Sequence, residues 1–547
     1  MKKKEPLNQV REFETLPRCL DYMEKEYKEK PALTFYREDG TEITRNYREF
    51  TRDVRTCMRA LKKAGLDGKH VALISENRYE WVVIFWAVTC LGGVLAAIDV
   101  EQPEEEIAEM VSYADARAVF LSDAFLPVMK EWLSGRRRVV ILGESGEEES
   151  FQDFLELSED YADGNLRHLP EPEDRALLVY TSGTTSTAKP VVLSHRNLLS
   201  NAAGAMAMVC VGERIFTPLP LYHTYSLTCG MLGCLSQGLH FSANGYLKTM
   251  MRDIRRFEAD TLLSVPMITD SLLRAIWNLQ EREGTRQETE QLLEKERKRR
   301  KWRLRHRTVR DGHVPEILGP RLRRIISGGA HMNEKTAEEL ELYGISVLQG
   351  YGITECSPLI SVNRNHSSRR KSVGTLIPGM EIKFTGGEIL VKGPSVFQGY
   401  YKNESLTREV LVHGWFHTGD IGYMDKQGYL YICGRKKSLI VFSNGKKVVP
   451  EELEQQLVRL PYIREVIVYG ARSGQTEDDV TLSAMIYPDR EKTAGMSSFE
   501  VLEKIQDEIS ELNRTLPFYK RIQSLKLTET EFVKTGIQKI RRKEGSL

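Results

Sequence analysis

Residues 179–195 read VYTSGTTSTAKPVVLSH, a small hydroxyl-rich turn between two apolar runs that carries one lysine, Lys189. Gly183 lets the backbone come close to a ligand. Thr181, Ser182, Thr184, Thr185 and Ser186 offer hydroxyls, and Lys189 adds a point charge suited to polyphosphate. These residue types at this spacing describe a phosphate cradle and imply a nucleoside triphosphate as ligand. The loop is not the P-loop of the common NTPases, which needs Gly-x4-Gly-Lys-Ser/Thr; here Ala188 precedes the lysine and Pro190 follows it. Standing alone, the segment also reads as an ordinary Ser/Thr turn in a hairpin.

Four further blocks follow in order. Ser327-Gly-Gly-Ala330 succeeds the apolar pair Ile325-Ile326 as a strand-end turn, where Gly328 and Gly329 permit close backbone approach. Tyr351-Gly-Ile-Thr-Glu355 combines an aromatic ring, Gly352, the Thr354 hydroxyl and a carboxylate. Trp415-Phe-His-Thr-Gly-Asp420 ends in a carboxylate able to accept two hydrogen bonds at once. Gly434-Arg-Lys-Lys437 is a basic turn. Singly, each reads equally as a turn or a satisfied surface charge. Together, with TSGTT and a lysine leading through an apolar run to Ser194-His195, they resemble the adenylate-forming superfamily, which joins acyl-CoA synthetases, peptide-synthetase adenylation domains and luciferases.

The resemblance implies a role for each block. Thr181, Ser182, Gly183, Thr184, Thr185 and Lys189 would hold the phosphates of ATP. Gly328, Gly329 and Ala330 would lie against the adenine, with Tyr351 stacked on it beside Gly352 and Thr354. Glu355 and Thr184 would hold Mg2+, Asp420 and Arg435 the ribose hydroxyls, and Lys437 would sit at a hinge between two domains. Family members usually read TSGTTG-x-PKG, so Ser186, Ala188 and Pro190 stand where Gly, Pro and Gly are usual. Serine cannot reach every glycine conformation and proline removes a donor. Those departures motivate an alternative reading as a catalytically weakened nucleotide-binding homologue.

The stretches SENRYEWVVIFWAVTCLGG and GRKKSLIVFSNGKKVVPEELE are most similar to bacterial AMP-forming long-chain fatty-acyl-CoA synthetases, and the likeness spans nearly the whole chain. In that family the C-terminal block reads about PKT-x-x-x-K-I. Val533-Lys-Thr-Gly-Ile-Gln-Lys539-Ile aligns with it, which makes Lys539 the catalytic lysine and Lys534 the competing assignment; Val533 and Gln538 are departures. The implied activity is ATP-dependent activation of a fatty acid through acyl-AMP, with release of pyrophosphate, then transfer to coenzyme A. The C-terminal domain is implied to rotate between the two steps and to bring in Ser443-Asn-Gly-Lys446, where Gly445 lets the pantetheine arm pass close to the backbone. A ligase that stops at acyl-AMP or loads an acyl carrier protein fits the same blocks.

Such residues need rigid elements behind them. Apolar runs at 70–75, 118–122 and 139–143 alternate with amphipathic helical stretches, which predicts an α/β protein with parallel sheets covered by helices. After Gly379 short strands and turns predict a small β-rich subdomain, and from Lys436 a smaller α+β segment. The expected domains are residues 1–434, binding AMP and the acyl group, and a mobile C-terminal domain, 435–547, carrying Lys539. Residues 81–98, WVVIFWAVTCLGGVLAAI, lack charge over about the length a bilayer requires. Gly92-Gly93 divides them into a buried helix and a short strand, so an α/β unit is the reading.

At 547 residues the chain needs more than one core, and its net charge of +1 supplies no field for nucleic acid. Eight cysteines without a CxxC pair argue against a zinc site or disulfide framework and fit a reducing cytoplasm. MKKKEPLNQV leads into a charged run instead of an apolar core, so no secretory signal is read. Residues 217–245 contain no Lys, Arg, Asp or Glu. That suits an apolar acyl group and disfavours an amino acid, whose buried ammonium would lack a partner. His223 lies where related ligases keep an aromatic residue or histidine near the substrate carboxylate and α-phosphate; beside Tyr222 it also reads as a packed core residue. Residues 281–310 are charge-dense, with nine Lys/Arg and no acid from Arg297 to Arg310. A solvated helical hairpin, acidic half against basic half, is the first expectation. The alternative is peripheral contact with anionic lipid at the inner membrane face through 297–310, each charge contributing roughly 1 kcal/mol.

Overall fold

Residues 81–98 show how the sequence builds the fold. The apolar run forms helix Tyr79–Cys90, in which every residue except Glu80 is buried, so it packs on all sides instead of presenting one stripe. A turn over Leu91–Gly93 then returns the chain into strand Val94–Ala97, also buried throughout. A computed structural model describes residues 5–133, 137–143, 146, 148–159, 170–181, 189–302, 308–365, 367–442, 446–472, 480–533 and 540. Among these, no helix is long and apolar enough to cross a membrane.

The described chain groups into two compact units, residues 1–381, 392–416 and 426–430 in the first, and 382–391, 417–425 and 431–547 in the second. The first holds two large sheets. In one, the strand order is Gly399–Tyr400, Lys189–Ser194, Arg175–Thr181, Val94–Ala97, His70–Ile74, Ala118–Ser122, Arg138–Leu142 and Glu149–Ser150. From Arg175–Thr181 onward its strands run parallel, while Lys189–Ser194 folds back as an antiparallel hairpin that Gly399–Tyr400 extends. The other sheet runs Thr375–Leu376, Leu359–Val362, Ser346–Gly352, Arg324–Ser327, Thr261–Ser264, Arg214–Thr217, His240–Ala243, Pro31–Tyr36 and Glu42–Asn46. Its six central strands are parallel, so the turns leaving Ser264, Ser327 and Gly352 collect along one edge. Short apolar strands with no charged residue inside, such as Leu262–Leu263 and Ile325–Ile326, are what a sheet covered on both faces requires.

The second unit is α+β. Strands Ile463–Arg472, Val480–Pro488 and Ser524–Leu527 form one sheet. Its core joins them to helices Pro450–Leu457 and Ser498–Thr515 through Leu453, Leu457, Val468, Ile486 and Ile505. The second helix starts where the Ser497 hydroxyl and the Glu500 carboxylate cap each other's backbone N–H, and it buries Val501, Ile505 and Ile509 at a four-residue interval. These are the helix-covered sheets and the smaller α+β segment that the sequence predicts.

Within the charge-dense segment 281–310, acidic and basic residues share one helix, Arg286–Lys301, instead of folding acidic half against basic half; helix Pro266–Arg282 precedes it. The segment's cations divide their partners between their own helix, where Arg297 and Lys298 meet Glu294 and Arg299 meets Glu296, and another helix, Glu334–Leu342. Arg297 reaches Glu339 at 3.1 Å, Arg300 reaches Glu341 at 2.9 Å, and Arg286 lies 3.5 Å from Glu339. Arg370 adds a second cation to Glu338 and Glu341. Guanidiniums paired in this way are not simultaneously available to lipid phosphate.

Candidate functional site

The hydroxyl-rich turn joins two antiparallel strands whose last register pair is Thr181 opposite Lys189. Ser182, Gly183, Thr184 and Thr185 lie outside the described residues, as do Gly445, Lys534 and Lys539. Lys189 opens strand Lys189–Ser194 and is half-buried. On the far side of that strand, Tyr400 pairs with Val191, and the Tyr400 hydroxyl donates to Glu355 Oε1 at 2.8 Å. Burial, then the neighbouring Glu355 charge, push the Tyr400 hydroxyl far above its ordinary pKa, so it stays a donor. Glu355 sits in the short turn Thr354–Cys356, and its carbonyl accepts from Phe397 N–H at 2.8 Å.

Helix His195–Met208, which follows the hairpin, fixes the same turn. Ser194 caps it, with Asn197 answering in a capping box. One turn on, fully buried Asn201 donates to the carbonyls of Cys356 and Leu359 at 2.9 and 2.8 Å and accepts from Leu359 N–H at 3.1 Å. Three hydrogen bonds from one amide pin both ends of Cys356–Leu359, the segment that follows Glu355 directly.

Along the parallel strand ends, Gly328 N–H donates to the Ser264 carbonyl at 3.1 Å. A side chain at Gly328 would put Cβ 3.3 Å from the Tyr225 ring, and Gly329 takes φ +80°, a left-handed value that favours glycine. Tyr225 in turn donates to the Ile326 carbonyl at 2.9 Å. Gly329 and Ala330 are exposed, Tyr351 is buried, and Gly352 and Thr354 are half-buried. Tyr225 begins an eight-residue π-helix, Tyr225–Leu232, a rare geometry often found at functional sites. Just before it, His223 has a buried Nε2 without a hydrogen-bond partner among the described residues. Burial lowers the His223 pKa, with the charge of Asp99 opposing, so the ring is neutral. Burial first, then the nearby charge of Asp99, raises the Tyr222 pKa well beyond the ordinary range.

The second unit holds a separate polar group. Asp420 is buried, lies 3.1 Å from Arg435 Nε, and has its N–H bonded to Thr418 Oγ1 at 3.0 Å. Thr418 donates to the Ile389 carbonyl at 2.7 Å, which anchors the turn. Beside it, Glu388 takes Lys436 Nζ at 2.8 Å and Gly419 N–H at 3.2 Å. Burial works against the Glu388 charge, but Lys436, Gly419 and His417 outweigh it and hold the carboxyl below the usual carboxylate range. Lys437 is exposed in the short turn that follows.

A family model described as AMP-binding enzyme matches residues 21–401, and one for the AMP-binding enzyme C-terminal domain matches residues 437–545. The chain belongs to the AMP-binding enzyme family. This AMP-binding enzyme is 29% identical over 435 residues to the long-chain-fatty-acid–CoA ligase FadD15 of Mycobacterium bovis, covering 74% of this chain and 71% of that protein. It is 27% identical over 471 residues to the 2-succinylbenzoate–CoA ligase of Oceanobacillus iheyensis, covering 84% and 87%. In fold it matches the solved anthranilate CoA ligase AuaEII in complex with anthranoyl-AMP, with a TM-score of 0.79 at 20% identity over 97% of this chain and 96% of that one.

Within the AMP-binding enzyme's first unit, then, the structure brings Lys189, Glu355, Tyr351, Gly328 and His223 onto adjoining strand ends. Asp420, Arg435 and Lys437 belong to the second. Reading the sequence misses Asn201, Tyr400 and Asp99. Asn201 leaves one trace, a polar residue seven positions after the Ser194 cap and directly before the uncharged, apolar run 202–209.

Proposed function

We propose that this chain activates a carboxylic acid with ATP, through acyl-AMP and with release of pyrophosphate, and then transfers the acyl group to coenzyme A. A fatty acid is the proposed substrate class. One observation carries the reading: Lys189, the Glu355 turn, the Ser327–Ala330 turn, Tyr351 and His223 gather at adjoining strand ends of one unit, on elements fixed by strand pairing and by hydrogen bonds between elements.

The chemistry accounts for these residue types. A carboxylate offers no leaving group, so AMP must be joined to it first, and both reactants are anionic. Alignment and charge neutralisation are therefore needed more than general acid–base catalysis. Lys189 and the hydroxyls of Thr181, Ser182, Thr184 and Thr185, with backbone at Gly183, would hold the phosphates. Tyr351, beside Gly352 and Thr354, would take the adenine, with Gly328, Gly329 and Ala330 close under it; a Cβ at position 328 would crowd Tyr225. Asp420 and Arg435 would bind the ribose. Lys539 would draw the carboxylate and α-phosphate together, and neutral His223 would offer a hydrogen bond there without adding charge. A carboxylate steadied by the Tyr400 hydroxyl, with the Thr184 hydroxyl, fits Mg2+, a hard cation held by one or two carboxylates plus substrate phosphates, whose charge it would neutralise when bound. For the second step, residues 435–547 are the proposed mobile domain, with Lys437 at its hinge and Gly445 beside the pantetheine path.

The fatty-acid assignment is supported by the charge-free, largely buried stretch 217–245 and by the likeness to long-chain ligases. Asp99 beside Tyr222 favours a second reading, a polar or aromatic acid, in keeping with the likeness to the 2-succinylbenzoate and anthranilate ligases. The deciding experiment measures pyrophosphate release by purified protein with MgATP, each acid tested with and without coenzyme A. The acids run from acetate to palmitate and include 2-succinylbenzoate and anthranilate. The expected result is a maximum with a medium or long chain and a thioester product. Acyl-AMP without thioester redirects the second step to an acyl carrier protein. No release with any acid overturns the reading in favour of the weakened homologue.

A further inference from the structure

One register pair before its last, the 175–194 hairpin has a proline inside a doubly paired strand. Toward Arg175–Thr181, Pro190 faces Tyr180. Toward Gly399–Tyr400, Val191 faces Tyr400, Val192 faces Gly399, and Tyr401 N–H donates to the Pro190 carbonyl at 2.9 Å. In an antiparallel ladder that bond belongs to a pair that exchanges two. The second, from the nitrogen of residue 190 to the Tyr401 carbonyl, cannot form because proline has no N–H. The Tyr401 carbonyl is reached instead by the Tyr113 hydroxyl, at 3.1 Å.

Tyr113 closes helix Glu104–Tyr113, and the same helix end grips both strands at this level. The Tyr180 hydroxyl donates to the Met110 carbonyl at 2.5 Å, and the Tyr401 hydroxyl donates to Asp115 at 2.8 Å. Lys402 pairs with Asp115 at 2.7 Å and donates to the Tyr113 carbonyl at 3.2 Å. Met110, Tyr180, Val192 and Tyr401 share one apolar cluster beneath these bonds.

We propose that the end of helix Glu104–Tyr113 clamps the hairpin, with the Tyr113 hydroxyl making the bond that Pro190 withdraws from the ladder. Tyr113 is then a positioning residue for the strand that Lys189 opens, and it is what allows proline at a position where glycine is usual. The functional side of this inference rests on the proposed role of the hairpin in holding ATP. Its structural side does not.

The test is a double-mutant cycle of Tyr113→Phe and Pro190→Ala, the latter restoring an N–H at residue 190. One readout is amide hydrogen exchange in peptides spanning 175–181 and 189–194; the other is the KM for MgATP in acid-dependent pyrophosphate release. In the native background, Tyr113→Phe should speed exchange about fivefold and raise the KM several-fold, with kcat changed less than about twofold. In the Pro190→Ala background the same change should move either readout less than about twofold. Equal effects in both backgrounds, or none in either, would overturn the clamp. If native protein releases no pyrophosphate with any acid, the proposed activity fails, and hydrogen exchange alone still decides for or against the clamp.

Discussion

One strand–helix–strand segment, residues 324–352, shows two ways of holding a side chain in place. At its strand ends, backbone packs on backbone and ring: Gly328 lies under Tyr225, and Gly352 lies against the carbonyl of Pro358. On its helix, Glu334–Leu342, position is set by long side chains instead, with Glu338, Glu339 and Glu341 facing Arg286, Arg297, Arg300 and Arg370. Backbone contacts have no rotatable atoms with which to adjust, whereas an ion-pair lattice with shared partners can re-form around a loss. Geometry is therefore strict where the acyl-AMP chemistry is proposed and lenient one helix away.

The largest expected effect tests the strict side. In Gly352→Ala the new Cβ would overlap the Pro358 carbonyl oxygen and lie 3.0 Å from Leu359 Cα, so the backbone of the Glu355 turn must move. Overpacking of this kind costs about 1–3 kcal/mol, and a displacement near 1 Å at a catalytic group costs on the order of 100-fold in rate. We expect acid-dependent AMP formation to fall by at least that factor, with a modest loss in thermal melting. Activity within a few-fold of the native protein would show that the strand ends have slack after all.

That strict region is also where the sequence is easiest to read. Ser327–Ala330 and Tyr351–Glu355 leave a compositional trace because close approach demands glycine and phosphate or metal chemistry demands hydroxyls and carboxylates. The strand-forming runs and the division of residues 81–98 are legible for a similar reason, since β-branched runs and paired glycines are local signals. What stays hidden is long-range partnership. Residues 217–245 carry no charge, yet Asp99 from another strand end faces Tyr222, because a parallel sheet gathers chain segments that are far apart in sequence. The helix Arg286–Lys301 reads as part of a self-paired hairpin, but acids of Glu334–Leu342 share its cations with its own Glu294 and Glu296. Asn201 and Tyr400 hold the Glu355 turn from 155 and 45 residues away. No periodicity encodes that.

Acidification sharpens the comparison, because histidines in the interior and beside the lattice respond with opposite sign. His195 and His240 are buried, and burial lowers both pKa values to about 4. Unfolded histidine titrates near 6.5, so between about pH 4 and 6.5 the unfolded chain binds more protons and stability rises with pH. Each should contribute roughly 3 kcal/mol that is present above pH 6.5 and lost as pH falls toward 4. His313, between Asp311 at 2.6 Å and Glu283 at 3.0 Å, behaves the other way. Burial opposes its charge, the two carboxylates outweigh burial, and its pKa is raised. Its contribution is complete below the unfolded value and disappears as pH rises through the folded one. Denaturant titrations of His195→Gln and His313→Gln across pH 4–8 should therefore show a flatter acid limb for the first and a small loss confined to acid pH for the second. The same pH profile in both would erase the distinction.

The smallest effect belongs to the lattice itself. Arg297 is about a quarter exposed and touches Glu339 at 3.1 Å, Glu294 at 3.6 Å and Glu338 at 4.0 Å. Removing it leaves the buried Glu339 carboxylate with the Trp277 indole N–H at 2.6 Å and with Arg286 at 3.5 Å. The stranded-charge penalty of a broken buried pair, about 3–5 kcal/mol, should therefore not arise. Arg297→Ala should cost only about 1 kcal/mol or less, part of it lost packing of the arginine stem, and high salt should shrink the difference. AMP formation should stay within about twofold, since no rigid contact links this side chain to the strand ends. A destabilisation above about 3 kcal/mol would mean that Glu339 depends on this one guanidinium, and the lattice would then be as strict as the strand ends it borders.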